Sequence, residues 1–264
     1  MPSYDVSDIF WYSGTGNSYA IAEEIAKSLK DKGIEVNLVQ INDFIEPKII
    51  SGHLIGLVFP VAVQGTYPFI WRFFHRLPVA DNDIFMADTL HAYSGGIKGP
   101  LKKLLLKKGY SPLSAIEIAM PGNFPPGVAK PSNYDEKITK GLLLAREFVE
   151  KTLSKKACWR DIPLLSDLMG IMCRTKQPWR FMRKQFGIHV DSKKCVGCGY
   201  CLEFCPVKNF VINDFGKAEA KNLCETCMRC LAYCPSDAIL TKKGKKQQIK
   251  TSDFVDIMKK NKKM

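Results

Sequence analysis

The sequence predicts an α/β protein in two parts: a doubly wound five-stranded parallel sheet over residues 1–153, then a second, small α+β unit. Three observations predict it. Short strand-like runs, apolar almost throughout, alternate with helical periodicity as far as Leu153, the pattern of strands covered on both faces. Eight of the ten cysteines fall between Cys195 and Cys234. The charge changes sign along the chain: residues 1–150 hold 15 Lys+Arg against 16 Asp+Glu, whereas residues 151–264 hold 24 against 10.

Val6–Tyr12 is apolar, β-branched and aromatic, and reads as the first strand. It ends in Ser13-Gly14-Thr15-Gly16-Asn17-Ser18, after which Tyr19–Lys32 has helical spacing (Ala22, Ile25, Ala26, Leu29) and Gly33 closes it. Val36–Ile41 and Leu54–Phe59 are the next strands, and Phe69–Leu77 is a helix that Pro78 stops. Ile84–Leu90, Leu101–Lys108, Ala115–Met120 and Glu136–Leu153 continue the alternation. Residues 154–187 break it. They are basic, interleave Trp159, Trp179, Phe181 and Phe186, and read as a linker with a helix near Leu164–Cys173, packing between the two parts in preference to lying on a membrane surface. Residues 188–243 form the cysteine-dense unit and 244–264 a lysine-rich tail whose Phe254–Met258 is expected to dock on one of the domains.

Cys195, Cys198, Cys201, Cys205 and Pro206 recur as Cys224, Cys227, Cys230, Cys234 and Pro235, each displaced by 29. Three thiolates two residues apart wrap one face of an iron–sulfur cubane, and the fourth ligand must come from elsewhere. In two-cluster proteins the cysteine before proline serves the other cluster. This assigns Cys195, Cys198, Cys201 and Cys234 to one 4Fe-4S cluster and Cys224, Cys227, Cys230 and Cys205 to a second. Zinc is the competing reading, but it wants four ligands in two pairs and has no use for a third cysteine and a trailing proline. Pro206 and Pro235 are expected in the first turn of short helices. Some fifty residues could hardly fold on their apolar content alone, so the clusters are expected to serve as the core. Two oxidised clusters would remove about four units of the C-terminal positive charge. The remainder suits steering of acidic redox partners better than nucleic acid or lipid.

The Ser13–Ser18 loop follows a strand and opens a helix, where a parallel sheet offers amides to a phosphate. It is neither a Walker loop nor a dinucleotide fingerprint. Its hydroxyls and amide (Ser13, Thr15, Asn17, Ser18) can donate to a phosphate without adding positive charge; an ordinary N-capped turn is the bland alternative. Two more loops follow strand ends: Pro60, Val61, Ala62, Val63, Gln64, Gly65 in one, and Tyr93, Ser94, Gly95, Gly96 in the other. They suit an isoalloxazine ring, with Tyr93 positioned to stack and Asn123 on a fourth wall after the fifth strand.

On these residues the first part resembles a flavodoxin and the second a bacterial two-cluster ferredoxin, in the order of flavodoxin–ferredoxin fusion proteins of anaerobes. The resemblance implies FMN as the flavin and a 2-1-3-4-5 strand order. Ala62 and Val63 stand where many flavodoxins carry aromatics, so one ring face is expected to be open. Gly65 is expected to tune the flavin potential through its carbonyl. The expected function is electron transfer between the clusters and FMN, with electrons supplied by another protein because no nicotinamide motif is present. The alternatives are a reductase of a small organic molecule or quinone, in a pocket of residues 60–67, 91–96 and 121–126, and an assembly module of a larger redox complex. His91 reads as structural in preference to a proton donor, and His53, His75 and His189 have no constellation. Cys158 and Cys173 read as packing residues. No stretch is long and apolar enough to cross a bilayer, no basic leader precedes an apolar run, and a cytoplasmic setting is expected.

Overall fold

The computed structural model describes residues 4–91, 94–160, 165–247 and 249–251. The chain divides into a first unit (Met1–Ser13, Asn17–Gly122, Ser132–Thr175) and a second (Gly14–Gly16, Asn123–Pro131, Lys176–Met264). In chain order the first unit's elements are β1 (Val6–Trp11), α1 (Asn17–Lys30), β2 (Glu35–Gln40), β3 (Leu54–Pro60), α2 (Pro68–Arg76), β4 (Asp83–Leu90), α3 (Lys98–Lys107), β5 (Ser111–Ala119), α4 (Tyr134–Leu153) and α5 (Leu165–Arg174). The sheet runs β2-β1-β3-β4-β5 with every neighbour parallel, the order of the flavodoxin-like fold.

The three inner strands β1, β3 and β4 are buried along nearly their whole length. The edge strands β2 and β5 are only partly covered, with a few buried positions among intermediate and exposed ones. This explains why β5 begins four residues earlier than the apolar run at Ala115 indicates: Ser111 and Pro112 pair with β4, and the register shifts between Ile84 and Phe85. An edge strand at a bulge is where a sheet tolerates proline. The helix α1 buries Ile21, Ala22, Ile25 and Leu29 on one stripe, the 3.6-residue spacing that the sequence carries.

Residues 154–187 are not one linker. They hold α5, which belongs to the first unit, and α6 (Lys176–Phe186), which belongs to the second. The reason is packing that composition does not show. The Trp159 indole is buried and donates to the Lys98 carbonyl at 3.0 Å, Lys103 pairs with Asp167, and the Arg174 guanidinium lies 4.9 Å over the Trp71 ring.

The second unit adds β6 (Ile188–Val190), α7 (Tyr200–Phe204), β7 (Phe210–Ile212), β8 (Ala218–Ala220), α8 (Arg229–Tyr233) and β9 (Ile239–Thr241). Two antiparallel pairs, β6 with β9 and β7 with β8, form its sheets. The helices α7 and α8, and the strands β7 and β9, stand 29 residues apart, so the cysteine repeat is also a repeat of structure. Both prolines follow their helices instead of opening them: Cys205 and Cys234 are the C-caps of α7 and α8, with extended ψ of 115° and 116°. A residue before proline is forced out of the helical region, so Pro206 and Pro235 end helices. The unit also has a small apolar core of Ile188, Phe210, Ala218, Met228, Leu231, Ala238 and Ile239, to which Cys195 and other cysteines are joined. The Phe254–Met258 expectation lies outside the described residues.

Candidate functional site

The repeat places its eight sulfurs by reusing one backbone. Three positions in each copy adopt left-handed φ: Gly197, Gly199 and Lys208 in the first, Thr226, Met228 and Asp237 in the second, each pair 29 residues apart. These turns coil the cysteine loop and aim amides at sulfur. Asn209 N–H donates to Cys205 Sγ at 3.2 Å and Ala238 N–H to Cys234 Sγ at 3.3 Å, again 29 apart. Ala218 N–H reaches Cys195 Sγ at 3.4 Å and Thr226 N–H reaches Cys224 Sγ at 3.3 Å. Donors to sulfur stabilise thiolate character.

The sulfurs fall into two groups. One cavity is lined by Cys195, Cys198, Cys201, Cys230 and Cys234, and another by Cys205, Cys224, Cys227 and Cys230, so that Cys230 lies between the two. Mutual electrostatics divide largely the same way, with Cys201 reaching across to Cys230. Burial first, then Cys198, Cys195 and Cys234, push the Cys201 thiol up to about 12. Burial and then Cys227 raise Cys205 to about 11, against the pull of the Asn209 and Val207 amides and of Arg229. Burial, then Cys227 and, more weakly, Cys205, push Cys224 up to about 12 while Arg183 draws it down. Cys230 is raised by burial and then by Cys227, Cys224, Cys205 and Cys201. Thiols that oppose one another's ionisation in this way can be thiolates together only around a positive centre.

Among the described residues, no three His, Cys, Asp or Glu side chains converge closely enough for a single metal ion. Zinc, with bonds of about 2.3 Å to sulfur, would need its four thiolates roughly 3.8 Å apart. An iron–sulfur cubane spreads its ligands over different corner irons and so asks for a wider spacing of sulfurs. The buried Arg229, whose guanidinium donates to the Phe204 carbonyl at 3.2 Å, adds positive charge beside Cys205. Sequence reasoning missed Arg229 and the left-handed turns; asking what besides cysteine repeats at 29 residues would have found the turns.

The Ser13–Ser18 loop is buried at Ser13, Thr15, Asn17 and Ser18. In the first unit, Ser18 Oγ meets Thr89 Oγ1 at 2.7 Å and Asn17 Nδ2 donates to the Pro121 carbonyl at 2.9 Å, which pins the loop to the ends of β4 and β5. In the second unit, which holds Gly14–Gly16, Asn123 Nδ2 donates to Thr15 Oγ1 and Thr251 N–H to the Thr15 carbonyl at 2.8 Å. The first turn of α1 carries no acid. A phosphate fits this donor set: hydroxyls and a helix N-terminus, with no carboxylate to oppose an anion.

The loop after β3 is a tight hairpin. Ala62 and Gly65 bridge through both backbone hydrogen bonds, at 2.9 and 3.0 Å, and the two residues between them, Val63 and Gln64, have φ of 53° and 60°. Positive φ at a β-branched valine is strained, and such strain collects at binding loops. Pro60 ends β3, and Val61 N–H donates to the Thr89 carbonyl at 2.8 Å. Unusual backbone thus sits at Val63 and Gln64, while the Gly65 carbonyl is engaged in the hairpin. The Gln64 carbonyl accepts from Gly95 at 3.4 Å and Gly96 at 2.9 Å, tying the loops after β3 and β4 together. Ser94 donates to Glu117 at 2.6 Å, and Glu117 is also paired with Lys98. Tyr93 lies outside the described residues. Helix α5 backs onto both loops: a Cβ on Gly96 would stand 3.0 Å from the Gly170 backbone, and one on Gly65 3.0 Å from Cys173. Cys173 therefore packs, as expected. His91 is exposed with its ring against Gly122.

Residues 179–239 match the family described as a 4Fe-4S dicluster domain. Among solved structures, a Streptococcus pneumoniae TIGR4 flavodoxin is similar at 15% identity and TM-score 0.42, covering 57% of this chain and 99% of its own. Flavodoxin 2 of Bacillus cereus is similar at 20% and 0.40, covering 56% and 99%. A flavo di-iron protein of Thermotoga maritima is similar at 17% and 0.40, covering 58% of this chain and 37% of its own. No curated protein sequence matches the chain. Among the described residues no helix is long and apolar enough to cross a membrane. By its strand order the first unit has the flavodoxin-like α/β fold, and residues 179–239, which hold the cysteine repeat, belong to a 4Fe-4S dicluster domain.

Proposed function

We propose that the protein is an electron carrier holding two 4Fe-4S clusters and one FMN, which passes single electrons between a low-potential acidic protein donor and a second redox partner. One observation supports the reading: the eight repeat cysteines line two cavities, Cys230 lining both, and each cavity takes in a proline-preceding cysteine, Cys234 or Cys205, from the other copy of the repeat. Cys195, Cys198, Cys201 and Cys234 would hold one cluster and Cys224, Cys227, Cys230 and Cys205 the other. The Ser13–Ser18 loop would hold the FMN phosphate through Ser13, Thr15, Ser18 and backbone amides, and the Pro60–Gly65 and Ser94–Gly96 loops would meet the ring. Bound FMN stores one or two electrons and a cluster exchanges one, so the pairing suits a one-to-two-electron converter.

Anaerobic purification followed by iron, sulfide and flavin quantitation tests this. About eight irons, about eight sulfides and one FMN per chain are expected. Redox titration watched by absorbance and EPR should then resolve cluster and flavin steps. Zinc in place of inorganic sulfide, or a colourless protein that neither iron nor flavin restores, overturns the reading.

A further inference from the structure

The repeat cysteines are unequally shielded. Cys198 alone among the eight is exposed, whereas Cys195 is buried and the rest are intermediate. Its loop runs edge to edge with the β7–β8 turn, where Gly197 approaches Gly216 so closely that a Cβ on Gly197 would overlap the Gly216 carbonyl oxygen. Val196 and Phe215, each one residue from that contact, are 65% and 86% exposed. Lys193 is exposed nearby, Lys194 pairs with Asp191 at 3.7 Å, and Lys217 donates to the Cys195 carbonyl; Asp214 is the exposed acid of the turn. An exposed isopropyl and phenyl beside the one exposed repeat cysteine, with three bases (Lys193, Lys194, Lys217) against two acids (Asp191, Asp214) around them, is an apolar contact point with a local excess of positive charge.

We propose that this edge, Val196 and Phe215 beside Cys198, is the docking point for a small acidic redox protein. The inference rests on the reading that the first quartet holds a cluster, and adds where the partner seats. Electron transfer weakens steeply with distance, so a partner must approach where a ligand reaches the surface, and Cys198 is more exposed than any cysteine of the second quartet. A small apolar centre with a charged surround is the form of a transient interface, in which charge sets encounter and few contacts set lifetime. The transfer it serves moves one electron from the reduced partner, with no bond made or broken.

The test uses the anaerobically purified holoprotein and a small acidic ferredoxin as probe. Calorimetric titration with the oxidised ferredoxin at low salt should give binding that Phe215→Glu and Lys193→Glu each weaken about tenfold or more. Val79→Glu, at a position 82% exposed in the first unit, should leave it unchanged. Iron content and reduction by dithionite should be unchanged in all three. The proposal is overturned if wild-type protein does not bind, if both Phe215→Glu and Lys193→Glu bind like wild type, or if Val79→Glu weakens binding equally. It is also overturned if these substitutions abolish capture by phosphatidylglycerol vesicles but spare the ferredoxin. Wild-type protein lacking iron and sulfide would instead sink the cluster reading, a distinguishable failure.

Discussion

At the scale of single residues, two side chains are placed against their own preferences. Asp88 on β4 is fully buried, and neither carboxylate oxygen has a hydrogen-bond partner. Burial, and secondarily Glu117 in the next strand, hold its pKa well above the ordinary value, with Lys98 opposing. A group raised on folding gives stability that is fully present below its unfolded pKa and lost as pH rises through its folded one. Asp88→Leu should therefore gain in stability on wild type in urea denaturation as pH rises from 5 to 9, by about 1.4 kcal/mol for each pH unit that lies below the raised pKa. A pH-independent difference would refute this. Thr226, in the left-handed position that Gly197 fills in the first copy, has φ of 56° and a buried hydroxyl without a partner. Thr226→Gly should stabilise the holoprotein by about 1–2 kcal/mol in thermal melts, and no gain would show the turn to be unstrained. The cysteines were legible in the sequence because their spacing is itself chemistry. Asp88 was not, since an aspartate in an apolar strand reads the same whether its carboxylate is buried or at the surface.

At the scale of elements, α7 and α8 each deliver a cysteine at the C-cap, and these two cross between quartets. Crossing predicts a pattern of non-additivity. Cys205→Ser combined with Cys224→Ser should lose no more iron than either change alone, about half the total, because both strike one site. Cys205→Ser combined with Cys201→Ser should lose nearly all of it. If the second pair loses only half, each copy serves its own cluster. Strand order and the strand–loop–helix at residues 13–18 were legible because apolar runs and loop chemistry are local properties. The helix α5 was foreseen within a residue at each end, yet its attachment was not, because Gly170 and Cys173 bind through close backbone approach and small size leaves no periodic signal. The prolines were misread because the rule for helix starts competes with the rule for residues preceding proline, and the latter governs Cys205 and Cys234.

At the scale of the whole molecule, the two units draw on different sources of stability. The first buries long aromatic and aliphatic side chains from five strands and their helices, whereas the second has a handful of apolar residues among its cysteines. Stripping iron with a chelator under mild oxidation should therefore abolish hydrogen-exchange protection in β6–β9 and leave β1, β3 and β4 protected. Uniform loss, or none, would show that the metal does not organise the second unit. The two-part plan was legible from composition and spacing, but the boundary was not: it falls between Thr175 and Lys176, inside the stretch that read as a single linker. The interleaved quartets also bear on biosynthesis. A ribosome that has released only the first copy of the repeat has exposed three sulfurs of one holder and a lone sulfur of the other, and the first holder closes only when Cys234 emerges. If each quartet holds a cluster, completion of the first holder is postponed until both copies have been translated, and a nascent chain interrupted between them carries no complete holder.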